Sequence, residues 1–173
     1  MITQLYLGDC IKVAKNLPQV DFIFADPPYN ISSNANMKNS WNGYTSFKGE
    51  WDVVPEYDNF TIQWTTAAYD ALKDSGIMAI SGVFGSLAPV FRQMECLGAT
   101  FQSHFVWHKT NPAPSIHRRM FTHANEIILI YSKGKNWTFN YDAVKMLSGG
   151  KQQHNVISIP GSRRINGIIS KPI

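Results

Sequence analysis

Residues 21–30 read DFIFADPPYN, and this stretch decides how the rest of the chain is understood. Residues 22–25 form a short apolar run with the β-propensity of a buried strand. The run stops at Asp26, Pro27, Pro28 and Tyr29. Neither proline can donate to a sheet ladder and neither suits a helix interior, so the strand ends there. One carboxylate, two rigid backbone carbonyls and one aromatic ring are therefore expected at the C-terminal end of a strand. In open α/β sheets that edge is where ligands bind.

The segments on either side fit an α/β pattern. Residues 2–7, ITQLYL, read as a first strand, and residues 9–17 as a helix with Asp9 as its N-cap and Pro18 as its stop. After Asn30 comes a long stretch rich in Ser, Asn and Gly, expected to be a functional loop beside the site. A helix follows over 56–74, with Ile62, Thr66 and Tyr69 on its apolar stripe and Gly76 as its terminator. Residues 77–83 read as a buried strand. Residues 86–97 read as a helix with Pro89 in its first turn and Gly98 as its C-cap. Residues 100–108 and 125–132 are strand candidates joined by the loop 109–123, which suggests an antiparallel pair at one side of a mostly parallel sheet. From 133 onward the composition turns polar and basic, and 146–173 read as a tail without a helix signature. The domain expected is thus residues 1–145, with 146–173 as a tail or the start of a target-recognition or linker segment.

At 173 residues the chain is the size of one domain with its own core. No apolar run approaches the ~20 residues that cross a bilayer. No signal peptide is visible, and Cys10 and Cys96 make no CxxC pair, so a cytoplasmic protein with reduced thiols and no membrane partner is expected. The net charge of +4 is unevenly spread. Residues 1–100 hold 6 Lys/Arg against 10 Asp/Glu, whereas residues 101–173 hold 10 against 2. A basic second part points to a polyanion, or equally to a solvated basic surface. Its most compact cluster is His117, Arg118 and Arg119, with Lys109 nearby. His117 and His123, like His104 and His108, invite a metal site, but the chain offers no cysteines beside them and 104–108 alternate as a strand. Phosphate contact by Lys109, His117, Arg118 and Arg119 is the stronger expectation.

The chemistry of Asp26–Tyr29 can be argued from the groups alone. An ionised Asp26 only accepts hydrogen bonds, and the Pro27 carbonyl is a second fixed acceptor. Together they suit the two hydrogens of an exocyclic amino group, while Tyr29 offers a face on which a base can stack. Such an amine is a poor nucleophile because its lone pair is delocalised into the ring. Holding both N–H groups favours a pyramidal nitrogen that can attack an activated methyl group. Catalysis of that kind rests on positioning and electrostatics, without a covalent enzyme intermediate.

With these residues in view, the chain resembles the N-terminal part of the DNA amino-methyltransferases whose catalytic motif precedes their glycine-rich cofactor motif, the β-class adenine-N6/cytosine-N4 enzymes. DPPYN at 26–30 is similar to the catalytic motif. LYLGDC at 5–10, FKGEWD at 47–52, NPAPSIHRR at 111–119 and NEIILIYSKGKNWTFNYDAV at 125–144 follow in the family's order. The resemblance implies an S-adenosylmethionine-dependent, Rossmann-like fold acting on double-stranded DNA. It assigns catalysis to Asp26, Pro27, Pro28 and Tyr29, with the target base flipped onto Tyr29. It assigns cofactor contacts to Asp9, Cys10 and Asp26, although Asp9 also serves as an N-cap. The leading Asp of DPPY leans towards adenine N6 over cytosine N4. A homodimer is a further possibility that the resemblance raises.

One part of the family pattern is missing. The resemblance calls for a later strand ending in a glycine-rich turn, and neither Gly149-Gly150, Gly161 nor Gly167 follows an apolar strand. The fold is therefore expected to be incomplete in this chain, with exposed edges and apolar faces at the 2–7 and 22–25 strands. Two functions of different class follow. One is an adenine-N6 methyltransferase part that needs its C-terminal half or a complementary polypeptide. The other is a truncated, non-catalytic DNA-binding or assembly module.

Overall fold

A computed structural model describes residues 3–33, 48–115, 118–161, 163–165 and 168–170. The chain runs α1 (Cys10–Ala14), β1 (Val20–Ala25), α2 (Tyr57–Asp70), β2 (Leu72–Gly82) and α3 (Phe84–Cys96). It continues as β3 (Thr100–Lys109), β4 (Asn125–Ser132), α4 (Tyr141–Leu147), β5 (Val156–Ile159), β6 (Arg163–Ile165) and β7 (Ile168–Ser170). Five strands make one sheet in the order β1-β2-β4-β3-β5, and β6 and β7 form a separate hairpin. β1 pairs parallel to β2, and β5 parallel to β3. β4 runs antiparallel to both β2 and β3, so the expected antiparallel pair forms to one side of β1 and β2.

Alternation along the strands sets the core. Ile23 and Ala25 of β1 lie opposite Met78 and Ile80 of β2, which lie opposite Tyr131 and Leu129 of β4. These residues share one face, where α2 contributes Trp64 and α3 contributes Leu87, Val90 and Met94. At the end of β2, a side chain on Gly82 would meet Leu87 and Ser86 within 2.8 Å, so only glycine lets α3 turn so sharply onto the sheet. Gly98, at φ +73°, ends α3 in the left-handed conformation that its sequence position suggested.

Several elements depart from the sequence expectations. The stretch 3–7 belongs to no strand, and Leu5 and Leu7 are fully exposed. A strand needs a neighbour to satisfy its ladder, and none of the described strands lies beside it. Helix α2 buries Thr61, Trp64, Thr65 and Ala67, while Ile62 faces solvent. The apolar stripe was misphased because two threonines sit inside, where Thr65 Oγ1 donates to the Thr61 carbonyl at 2.6 Å. Gly76 does not end α2 but lies within β2, which begins two residues after the helix. The end of α2 is held instead by Lys133, whose Nζ donates to the carbonyls of Tyr69 and Leu72. A cation is favourable at that terminus. Helix α3 starts earlier than expected, so Pro89 falls in its second turn and the Gly85 carbonyl loses its helical donor. Residues 141–147 are helical, and residues 156–159 of the tail join the sheet as β5. Among the described residues no helix is long and apolar enough to cross a membrane.

β1 has only β2 as a neighbour among the described residues. Phe22 and Phe24 project from its other face and remain 57% and 55% exposed. The sequence led us to expect this open, apolar edge.

Candidate active site

Chain geometry brings the residues after β1 to the ends of the parallel strands. Ala25 pairs with Ile80, so Asp26 lies level with Ser81 of β2. Ser81 Oγ donates to Asp26 Oδ1 at 2.5 Å and touches the Ala25 carbonyl at 3.2 Å. The Tyr29 hydroxyl donates to the same Asp26 Oδ1 at 2.9 Å and approaches Glu126 Oε2 of β4 at 3.3 Å. Glu126 Oε1 in turn forms an ion pair with Lys109 at the end of β3. The ends of four strands thus converge on one small polar cluster. Among the described residues, neither Asp26 Oδ2 nor the Pro27 carbonyl accepts a hydrogen bond. The Pro28 carbonyl is taken by the Tyr57 hydroxyl at 2.9 Å.

Tyr29 is only 8% exposed. Burial pushes its hydroxyl well above the usual tyrosine range, and the charges of Glu126 and Asp26 push the same way against a hydrogen bond from Ser81. The phenol therefore stays protonated and acts as a donor. Lys48 lies over the ring with Nζ 4.6 Å from its centroid, a cation–π contact. An open cleft lies next to the ring, lined by Asn30, Ile31, Tyr57, Val83, Gly85 and Ser86 at the C-terminal ends of β1 and β2. This is the ligand-binding edge of such a sheet.

The turn beyond Tyr29 is fixed by Asp52, which is completely buried. Its carboxylate accepts from the backbone N–H of Asn30 at 3.0 Å and of Ser32 at 2.8 Å. Asn30 adopts a left-handed conformation, φ 56°, which Asn tolerates better than most residues. Its side-chain oxygen accepts from Val54 N–H at 3.0 Å. Lys48 N–H donates to Ser32 Oγ at 2.9 Å. The 48–54 segment is therefore stitched to the segment that follows the double proline. The neighbouring Trp51 is largely exposed.

The other candidate residues are dispersed. Asp9 caps α1, accepting from Ile11 N–H at 2.9 Å, and Cys10 beside it is exposed. No described contact joins either residue to the Asp26 cluster. Lys109 belongs to that cluster and stacks on Trp107 at 5.0 Å. Arg118 and Arg119 are exposed on the β3–β4 loop, and His117 lies outside the described residues. Sequence reasoning missed Ser81, Glu126, Asp52 and Lys48. Glu126 carried a signal, since it is the acidic exception in an apolar strand and one of two acidic residues after position 100.

Comparison with known proteins adds three findings. The DNA methylase family of the N6/N4 type matches residues 20–168. The type II methyltransferase M2.DpnII of Streptococcus pneumoniae is 37% identical over 144 residues, covering 79% of this chain and 53% of that protein. The type II methyltransferase M.HinfI of Haemophilus influenzae is 32% identical over 160 residues, covering 88% and 45%. Among solved structures, the cytosine-N4-specific PvuII DNA methyltransferase superposes with a TM-score of 0.67 at 15% identity, covering 92% of this chain and 58% of that one. The M1.HpyAVI–SAM complex gives 0.55 at 20% identity, covering 79% and 60%. At these identities the structural likeness speaks for the fold. The chain spans about half the length of the curated relatives it matches.

Proposed function

This chain belongs to the N6/N4 DNA methylase family, and from that premise we propose that it is the catalytic-motif part of a DNA methyltransferase acting on the N6 amine of adenine in duplex DNA. The observation that carries the proposal is the placing of Asp26 and Pro27 beside an aromatic ring and an open cleft at the sheet's C-terminal edge. Asp26 Oδ2 and the Pro27 carbonyl each accept one hydrogen of the target amine. Pro28 makes the turn rigid, and Tyr57 locks it through the Pro28 carbonyl. The flipped base stacks on Tyr29 and replaces the Lys48 ammonium on the ring face. Ser81 holds the Asp26 carboxylate in one orientation, so the acceptors are set before the base arrives.

S-adenosylmethionine, when bound, supplies an electrophilic methyl group on a sulfonium. The residues present suit part of that cofactor. Asp9 is an exposed carboxylate able to accept from the cofactor's adenine amine, Cys10 offers backbone groups, and Asp26 faces the methionine end. None of Gly149, Gly150 and Gly161 lies between a strand and the helix after it, so these glycines build no glycine-rich turn for the remainder. We assign the rest of the pocket to a C-terminal half, carried on a longer chain or on a complementary polypeptide. It would pack on the open edge of β1, against Phe22, Phe24, Leu5 and Leu7. Residues 1–145 form the catalytic part and 146–173 lead towards target recognition. Arg118 and Arg119, with His117, meet the DNA phosphates, and a homodimer would place two such surfaces on one duplex.

A second reading is cytosine-N4 methylation, which the N6/N4 family also covers. The test is transfer of tritiated methyl from S-adenosylmethionine to unmethylated genomic DNA by the full-length protein. Incorporation that resists RNase and proteinase is expected. DNA binding without any transfer would replace the enzyme by a DNA-binding module.

A further inference from the structure

The Tyr29 hydroxyl has one hydrogen and two carboxylates within reach, Asp26 Oδ1 at 2.9 Å and Glu126 Oε2 at 3.3 Å. Both acceptors cannot be served at once. Glu126 is held in place by Lys109 on the neighbouring strand, and the two side chains are part-buried. Taking an ion pair partly out of water is not stabilising by itself, so stability alone does not explain its place beside the phenol.

We propose that Glu126, held by Lys109, is a positioning residue that takes over the Tyr29 hydrogen bond when Asp26 engages the target amine. The inference rests on the function proposed above for the same site. In the free site the hydroxyl points to Asp26. As the amine donates to Asp26, that carboxylate becomes a weaker acceptor, and the hydroxyl rotates to Glu126. No proton leaves Tyr29. The ring stays anchored by one hydrogen bond in both states, and Asp26 gives up a competing donor as the substrate arrives. Without Glu126 the hydroxyl has no second partner and continues to draw on Asp26.

Because Glu126 acts only through the Tyr29 hydroxyl, its effect must vanish when that hydroxyl is absent. The experiment is a double-mutant cycle of Glu126→Met and Tyr29→Phe in the full-length protein, read as kcat and KM for tritiated methyl transfer to unmethylated genomic DNA. With Tyr29 present, loss of a charge-assisted hydrogen bond is expected to lower kcat about tenfold or more, with KM for DNA little changed. In the Tyr29→Phe background the same substitution is expected to cost no more than about twofold. Should Glu126→Met fail to fold, the charge-neutral pair Lys109→Met with Glu126→Met replaces it in the cycle. An equal loss in both backgrounds would reduce Glu126 to a structural ion pair and overturn the inference. A wild-type protein that transfers no methyl group would instead remove the proposed function, and this inference with it.

Discussion

Replacing Asp52 by Ala should destabilise the chain strongly. Asp52 is completely buried, and its carboxylate is the acceptor for two backbone donors, Asn30 N–H at 3.0 Å and Ser32 N–H at 2.8 Å. Alanine removes both bonds, and the Ser32 N–H is buried where its acceptor is lost. Losing the acceptor of a buried donor costs about 1–3 kcal/mol, so the two lost bonds amount to about 2–6 kcal/mol. Against a typical domain stability of about 5–15 kcal/mol that is a large share. For a chain of this size it corresponds to a fall of about 4–24 °C in Tm. Asp52→Asn keeps one acceptor and should lose roughly half as much. The assay is guanidinium unfolding followed by circular dichroism, comparing midpoints at constant m-value. A loss below about 1 kcal/mol for Asp52→Ala would show that solvent or another group satisfies Asn30 and Ser32, and that the turn after Tyr29 is not built as described.

Three other outcomes are expected. Tyr131 is buried in the core with its hydroxyl unpartnered among the described residues, so Tyr131→Phe should stabilise the chain by about 1 kcal/mol in the same unfolding assay; destabilisation would mean that the hydroxyl has a partner. Burial raises the hydroxyls of both Tyr29 and Tyr131 above their ordinary pKa of 10.0, so the folded state keeps protons that the unfolded state releases. Stability should therefore hold below pH 10 and fall as pH rises above it, more shallowly in the Tyr131→Phe variant, and an unchanged alkaline slope in that variant would contradict the assignment. Arg118→Ala with Arg119→Ala should weaken duplex binding and flatten the log–log salt dependence by roughly 1–2 units; an unchanged slope would remove both from the interface.

Much of this fold was legible because its signals are local. An apolar run ended by two prolines gave β1 its end, and NEIILIYS gave β4 its bounds. Where two threonines and a tryptophan formed the buried face of α2, hydropathy pointed to the wrong side, since a buried threonine is recognisable only once its hydroxyl partner is known. The stretch 3–7 has a strand's composition, but strand formation depends on a neighbour, which no local pattern encodes. The tail concealed β5 for the opposite reason: four residues, VISI, suffice when β3 offers an edge.

The candidate site was legible at Asp26–Tyr29 and illegible around it. Ser81, Glu126, Lys109 and Asp52 reach the site from distant parts of the chain, and only register across three strands brings them together. Lys109 was expected among the phosphate contacts with the β3–β4 loop, yet its ammonium is engaged with Glu126 beside Tyr29. The asparagine of DPPYN acquires a physical role that sequence did not suggest, because it occupies a left-handed turn and ties that turn to Val54.

The central claim is that Asp26 and Pro27 hold an exocyclic amine for methylation. It is tested most directly by mass spectrometry of the nucleosides from genomic DNA treated with the full-length protein and S-adenosylmethionine, for wild type and Asp26→Ala. N6-methyladenine from the wild type, and none above background from a folded Asp26→Ala variant, is the result expected. Near-normal product from Asp26→Ala would contradict the role given to the sheet edge, and N4-methylcytosine in place of N6-methyladenine would correct the base.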